Sequence, residues 1–238
     1  MMEKFTIKHL DWDTDFFGMS CARVALNDAL TEQDAESVFQ QVSSYDFVTI
    51  ENTCGAFIND FYVGNKSTAY ITDCSVTLKK KSRAYSEADF SETQIRLATE
   101  DDLPWLTEIA GQAFVNSRFY NDPCITAEAV GGLYSSWVKN AFRDENKTIF
   151  VTEDKNGFII YLQNGTEAYI NLIATGGENR KKGVGTALVK FADNYAFENG
   201  CEEFFVGTQA TNIPAINLYI KCGFKFFKTT RIYHLRKN

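Results

Sequence analysis

The sequence has few of the residues that build metal centres or disulfide frameworks. It contains two histidines and six cysteines, and the cysteines lie far apart with no Cys-x-x-Cys pair among them. We therefore expect no metal and no disulfide scaffold, but reduced thiols in a cytoplasmic protein. The N-terminus has no apolar signal core, and no apolar run reaches the roughly 18 residues of a membrane-spanning helix. These absences predict a protein without membrane contact.

Basic residues are also in the minority. The chain has 24 Lys and Arg against 31 Asp and Glu, and its net charge of −7 disfavours nucleic acid as a partner. Apolar residues make up 45% of the sequence and include 20 Phe, which is enough for a packed core and excludes a disordered chain. A length of 238 residues allows one large domain or two small ones.

One basic, glycine-containing segment stands out against this acidic background. It runs Arg180-Lys181-Lys182-Gly183-Val184-Gly185-Thr186, between a predicted buried strand at 168–174 and a predicted helix at 186–199. A glycine turn between a strand and a helix leaves main-chain N–H groups unpaired at the positive end of the helix dipole, where a phosphate binds. The Gly-Lys-Ser/Thr of a Walker loop is absent. The glycines alone are equally typical of an ordinary strand-to-helix turn.

A second motif, 25 residues downstream, changes that balance. It is Asn212-Ile-Pro-Ala-Ile-Asn-Leu-Tyr-Ile-Lys-Cys-Gly-Phe224. Together the two motifs resemble the acyl-CoA signature of the GNAT acyltransferase superfamily, and the resemblance covers roughly residues 94–236. It implies an α/β GNAT fold, in which a mixed central sheet is flanked by helices, and an enzyme that uses acetyl-CoA as co-substrate. The pyrophosphate would be held by the main chain of 180–186.

The same resemblance implies roles for individual residues. Tyr219 would be the general acid for the leaving thiolate, since a phenol pKa of about 10 is close to that of a thiol at about 8.5. Leu172 and Ala174 would pair their main chain with the pantetheine arm as an added strand does. Asn212 would contact pantetheine, although a helix cap before Pro214 explains it equally well. Glu167 is a weak candidate for the general base, and a solvated strand-end charge is the favoured interpretation.

Three further segments narrow the resemblance. Residues 10–18, 114–119 and 133–137 are similar to TDP-fucosamine acetyltransferases, which N-acetylate a 4-amino-4,6-dideoxy sugar attached to thymidine diphosphate. An amino-sugar nucleotide is therefore the implied acceptor. A guanidinium suits phosphate, so Arg118 with Tyr120 would hold the diphosphate and sugar, and a surface salt bridge is a close rival for Arg118. The segment 175–179, just before the glycine turn, is longer and more polar than this similarity leads us to expect.

The chain is predicted to contain a small α/β domain at 1–80, a polar linker at 81–93 and a GNAT acyl-CoA-binding catalytic domain at 94–238. The first part is interpreted as a truncated half of the same fold without the phosphate loop. Its predicted elements are a helix at 31–45, a strand at 47–51, a helix at 54–61 and strands at 61–63 and 69–79. The aromatic segment 12–18 shows neither helical nor alternating spacing. We expect it to pack between the two parts, with Asp15 and Phe17 walling the acceptor pocket.

Two other functions stay open at this point. The same fold can acetylate a peptide or polyamine amine, which the acidic surface slightly favours. A CoA-binding regulatory module without turnover is a second alternative, and the presence of Tyr219 disfavours it. The predicted partners are small molecules, and a homodimer is allowed.

Overall fold

The computed structural model describes residues 3–86, 93–176 and 183–237. In the first segment the helices and strands follow in the order β1 (Phe5–His9), α1 (Asp11–Phe17), β2 (Cys21–Leu26), α2 (Glu32–Val42), β3 (Phe47–Asn52), α3 (Phe57–Lys66) and β4 (Tyr70–Lys81). The other two segments contain β5 (Ile95–Leu97), α4 (Leu103–Ala113), α5 (Ala127–Ala141), β6 (Lys147–Thr152), β7 (Gly157–Asn164), β8 (Glu167–Thr175), α6 (Val184–Glu198), β9 (Glu203–Gln209), α7 (Ile213–Lys221) and β10 (Lys225–Arg236).

All of these strands belong to one mixed sheet with the order β1-β2-β3-β10-β4-β9-β8-β7-β6-β5. Two series of elements repeat within it: β1-β2-α2-β3-α3-β4 has the same order as β7-β8-α6-β9-α7-β10. In each series the first two strands pair antiparallel, and the second and third pair parallel. The last strands are exchanged, because β4 pairs with β9 while β10 pairs with β3.

This exchange joins the two predicted domains. β4 comes from residues 1–80 but lies between β9 and β10 of the predicted catalytic domain. Both parts therefore contribute strands to the same sheet, and removal of the first part would take a strand out of its middle. Independent folding of the two parts stays a prediction.

Helices cover both faces of the sheet around β8 and β9. On what we call the α6 face, apolar side chains of α6 and α7 pack with alternate residues of β4 and β9: Val184, Leu188, Tyr219, Val76, Leu78, Phe204 and Val206. On the α5 face, α4 and α5 pack with β7 and β8, through Leu106, Ala110, Leu133, Val138, Ile160, Leu172 and Ala174. The two faces therefore present different surfaces at the same strand ends.

The structure corrects two local expectations. Residues 61–63 lie inside α3 rather than in a strand, because Asn59 and Val63, four residues apart, point the same helical face into the core. Residues 31–45 shorten to α2, which Thr31 caps.

The aromatic segment 12–18 also differs from its prediction. Residues 11–17 form a regular helix, α1, which Gly18 ends in the left-handed conformation at φ 65°. The rings of Trp12 and Phe16, one turn apart, stack with centroids 5.2 Å apart. Packing against the rest of the chain therefore stabilises a helix that the spacing of its apolar residues does not predict. The predicted location is confirmed, since Phe17 contacts Phe47 of β3 and Phe119 after α4.

Candidate active site

The site begins where β8 and β9 part. These parallel strands pair from Glu167 and Glu203 to Ile170 and Val206. Within the described residues the pairing stops there, although β8 continues to Thr175 and β9 to Gln209. A register shift opposite Ile160 and Tyr161 leaves Asn171 as an extra residue in β8, and such a bulge bends a strand away from its neighbour. An opening lined by main-chain groups results.

The first turn of α6 stands next to this opening. Gly183 precedes the helix with φ 88°, a left-handed conformation that favours glycine. The N–H of Ala187 donates to the carbonyl of Gly183 at 3.0 Å. The N–H groups of Val184, Gly185 and Thr186 precede this bond and have no partner within the helix. No side chain caps this end. The adjoining Arg180, Lys181 and Lys182 lie outside the described residues.

The equivalent place in the first repeat is closed. There β2 and β3 pair along their whole length, from Cys21 and Phe47 to Leu26 and Asn52. The N-terminus of α2 is occupied by a capping box, in which Thr31 and Asp34 bond each other's main-chain N–H groups. A carboxylate of the protein thus takes the position that an anion would need.

Tyr219 projects from α7 into the α6-face core. It is only 3% exposed, and its ring lies against Phe224 with centroids 5.8 Å apart. Burial raises the pKa of the Tyr219 phenol, and the nearby Cys222 acts in the same direction. The hydroxyl is protonated at neutral pH, as any phenol is, and the raised pKa makes it a weaker acid than a free phenol.

The remaining predicted cofactor contacts fall on main chain rather than on side chains. The side chains of Leu172 and Ala174 are buried in the α5-face core, which leaves their main-chain groups for a ligand in the opening. Asn212 caps α7, since its Oδ1 accepts from Ala215 N at 3.4 Å. This is the structural role that the sequence left as an alternative.

Glu167 lies at the start of β8. It pairs with Glu203 at the start of the parallel ladder and accepts a hydrogen bond from the Tyr169 hydroxyl. Leu172 is five residues further on, about 17 Å along an extended strand. The role of Glu167 as general base stays a weak prediction.

Arg118 lies in the connection between α4 and α5, on the α5 face. Its guanidinium stacks on the Phe119 ring at 4.4 Å, and its Nε is buried without a hydrogen-bond partner. The neighbouring Tyr120 is 47% exposed. The side-chain amide of Asn121 ties this connection to β4 by donating to the carbonyl of Thr72 at 3.1 Å. Arg118 is therefore a cation held in place by stacking, and its Nε–H can still donate a hydrogen bond to a ligand.

Two carboxylates near Arg118 were missed by sequence reasoning. On α1 the half-buried one is Asp13, while the predicted Asp15 is exposed. Burial raises the pKa of the Asp13 carboxyl, and the charge of Arg118 lowers it. On β4, Asp73 is 8% exposed and is also within the field of Arg118. Asp13 stands in the segment 10–18, in which the sequence prediction names Asp15 instead, and Asp73 stands in no motif.

A buried cluster around Asp122 holds the connection between α4 and α5 against β4 and β10. Its carboxylate accepts from the Tyr70 hydroxyl at 2.7 Å and lies 2.7 Å from Nδ1 of His234. Burial alone would raise the pKa of the Asp122 carboxyl. The hydrogen bonds from His234 and Tyr70 outweigh this effect, and the pKa lies well below its usual range. The pKa of His234 is lowered, chiefly by burial. The cluster links β4, β10 and the segment that carries Arg118.

The described part of the chain contains no helix long and apolar enough to cross a membrane. Over the same residues, no group of three or more His, Cys, Asp or Glu side chains is arranged to hold a metal ion. All six cysteines are free thiols.

Comparison with known proteins agrees with this geometry. Residues 117–224 match the acetyltransferase (GNAT) family. The chain is 27% identical over 231 residues to a dTDP-fucosamine acetyltransferase of Escherichia coli O6:H1, with 94% of this chain and 95% of the relative covered. It is 24% identical over 137 residues to the spore coat polysaccharide biosynthesis protein SpsD of Bacillus subtilis, covering 56% of this chain and 47% of that protein.

Among solved structures, a GCN5-related N-acetyltransferase from Kribbella flavida superposes with a TM-score of 0.64 at 14% identity, covering all of this chain and 89% of that one. Residues 117–224 are therefore similar to the GNAT acetyltransferase family, and the chain shares the fold of this solved structure. The predicted fold class and the predicted class of enzyme, an acyltransferase, are confirmed.

Proposed function

We propose that the protein is an acetyl-CoA-dependent N-acetyltransferase whose acceptor is the amine of a nucleotide-linked amino sugar, such as a TDP-4-amino-4,6-dideoxyhexose. The observation that carries the proposal is the opening between β8 and β9, which has the uncapped first turn of α6 beside it. The similarity to a dTDP-fucosamine acetyltransferase along 94% of the chain supports the choice of acceptor.

The opening suits an acyl-CoA because it offers two kinds of main-chain group. Free N–H groups of Val184, Gly185 and Thr186 suit a pyrophosphate, and the basic residues 180–182 add positive charge to the same turn. The main chain of Leu172 and Ala174 would bond the pantetheine amides, and one N–H there would stabilise the oxyanion that forms on the thioester carbonyl. Acetyl-CoA, when bound, supplies the activated acyl group.

Tyr219 would act as general acid. Its phenol, kept protonated by burial, would give its proton to the sulfur as the carbon–sulfur bond breaks. Its place on the α6 face puts it on the same side of the sheet as the first turn of α6. No metal takes part in the proposed reaction.

Arg118 would hold the acceptor from the α5 face. Its buried, unpartnered Nε and its stacked guanidinium suit a diphosphate, to which arginine can bond through two nitrogens. Tyr120, Phe17 and Asp15 remain predicted contacts with the acceptor, and Asp13 is a better placed carboxylate than Asp15.

A thiol-release assay tests the proposal directly. Acetyl-CoA would be offered with TDP-4-amino-4,6-dideoxyhexoses, with polyamines and with peptide amines, and the acetylated product identified by mass spectrometry. We expect turnover with the amino-sugar nucleotide and little with the others. Turnover only with a polyamine or peptide would replace the proposed acceptor, and binding of acetyl-CoA without turnover for any amine would favour a regulatory module.

A further inference from the structure

Strand alternation places Asp73 on the α5 face of the sheet. Val76 and Leu78 of β4 lie in the α6-face core, so Asp73, Ser75 and Thr77 point to the opposite side. On β9, Val206 belongs to the α6-face core as well, which puts Gly207 and Gln209 on the α5 face. Ser75 pairs with Gln209 in the register of the two strands. Asp73 is therefore one step beyond the end of β9, beside the opening.

Polar and charged groups surround Asp73. Further along the α5 face, Gly207 pairs with Thr77, four residues from Asp73, and a Cβ placed there would meet no atom within 4 Å. Gln209 favours the ionised form of the Asp73 carboxyl, and the charge of Arg118, in the connection after α4, acts in the same direction on its pKa. Burial raises the pKa of the Asp73 carboxyl to about 6, against the lowering effects of Arg118 and Gln209. At neutral pH the group is ionised and ready to take up a proton.

We propose that Asp73 is the general base of the reaction and receives a proton from the acceptor amine on the α5 face of the opening between β8 and β9. The inference rests on the proposed function and names a base for which Glu167 is only a weak candidate. It also assigns a function to the exchanged strand, because β4 places a residue of the first repeat in the proposed active site of the second.

The two proton transfers balance on opposite faces of the sheet. Asp73 takes one proton from the ammonium form of the acceptor, and the freed lone pair of nitrogen forms a bond to the thioester carbonyl carbon. The carbon–sulfur bond then breaks with its electron pair on sulfur, which receives the Tyr219 proton. The nitrogen loses its second proton, which restores the Tyr219 phenol through solvent. One acetyl group is transferred, one proton is released when Asp73 ionises again, and nothing is oxidised or reduced.

Several charged or titratable groups bear on Asp73 and would share in its pH dependence. Arg118 and the Tyr134 phenol of α5 interact with it directly. Asp13 of α1 and His234 of β10 interact with Arg118 and so act on Asp73 indirectly. Gln209 is neutral and fixes the carboxylate in position.

The test compares the pH dependence of kcat/KM in wild type, Asp73→Asn and Asp73→Glu. Removing a general base costs about 100- to 10,000-fold. We expect Asp73→Asn to lose about 100-fold or more near pH 6.5 and to recover steadily as alkaline pH deprotonates the amine in solution. Asp73→Glu, which retains a carboxylate, should keep the flat wild-type profile above its own pKa at a reduced rate. Wild-type kcat/KM should fall below about pH 6.

Glu51→Gln is the matched control, since Glu51 is a half-buried strand carboxylate 4.0 Å from Arg23 and lies on β3, which β10 separates from β4. It should leave kcat/KM unchanged, and calorimetry should give the same acetyl-CoA affinity for all variants. Full activity of Asp73→Asn, or an equal loss at every pH, would overturn the role of Asp73. If wild type acetylates a polyamine or peptide instead of the sugar nucleotide, the proposed acceptor is wrong, and the same pH comparison with that amine still decides Asp73.

Discussion

The ammonium of Lys80 on β4 lies 2.6 Å from the carboxylate of Asp193 on α6, and both side chains are buried. Lys80 also donates to the carbonyl of Cys222 at 3.0 Å and to the hydroxyl of Tyr85. The Lys80 ammonium of the first repeat thus bonds both a side chain of α6 and a main-chain carbonyl at the end of α7. The exchanged strand is held in the sheet by charge as well as by main-chain pairing.

Lys80→Met should therefore destabilise the protein severely. Breaking a buried pair leaves an uncompensated charge, which costs about 3–5 kcal/mol. Urea unfolding would measure it, with Lys66→Met as control, because Lys66 pairs with Glu32 and Glu36 at the surface and such pairs contribute about 0–1 kcal/mol. Equal losses in the two variants would contradict the importance given to the buried pair.

A second prediction concerns the turn before α6. Gly183→Val should weaken acetyl-CoA binding at least about tenfold, because a branched side chain there would hold a phosphate away from the main-chain N–H groups. Gly200→Val is a matched control, since Gly200 follows the other end of α6, has φ 77°, and like Gly183 has no atom within 4 Å of an added Cβ. Both variants bear a similar left-handed strain of about 1–2 kcal/mol. Calorimetry showing equal acetyl-CoA affinities would remove the turn from the site.

The combined valine substitution at Gly183 and Gly185 is less clean. A Cβ on Gly185 would come within 3.2 Å of Leu218, so that change disturbs the contact between α6 and α7. Loss of binding in the double variant would then have two causes, whereas Gly183→Val isolates one.

A third prediction addresses the acid. Tyr219→Phe should lower kcat by about ten- to ten-thousand-fold while acetyl-CoA affinity barely changes. The expected cause is loss of the proton for the leaving sulfur, since the ring and its packing against Phe224 remain. Tyr195→Phe is the control, as Tyr195 also packs against this core and is not among the proposed site residues. Unchanged turnover in Tyr219→Phe would give Tyr219 a structural role.

A fourth prediction separates the two substrates. Arg118→Ala should raise KM for the nucleotide sugar by about 10- to 100-fold, because a charge-assisted bond contributes about 1.5–3 kcal/mol. KM for acetyl-CoA should change little. Arg143→Ala, at the exposed end of α5, should affect neither. Equal increases for both substrates would mean that Arg118 supports the fold through its stacking on Phe119.

Much of the fold follows from local sequence. The predicted strand at 168–174 and helix at 186–199 correspond to β8 and α6 within two residues at each end. In these elements hydrophobic period, caps and turns all favour the same structure. Prediction fails where they conflict: α1 is a helix because its rings pack on β3 and on the connection after α4, although its own period does not predict one.

The sequence by itself determined the proposed cofactor side of the site. Its glycine turn, the start of α6 and Tyr219 lie within two short motifs, and their geometry depends on neighbours close in the chain. Only the tertiary structure decided the proposed acceptor side, where Asp13, Asp73 and Arg118 come from three distant segments. Their meeting depends on the exchange of β4 and β10, because strand pairing over long separations is set by the packing of the whole sheet and leaves no period in the sequence.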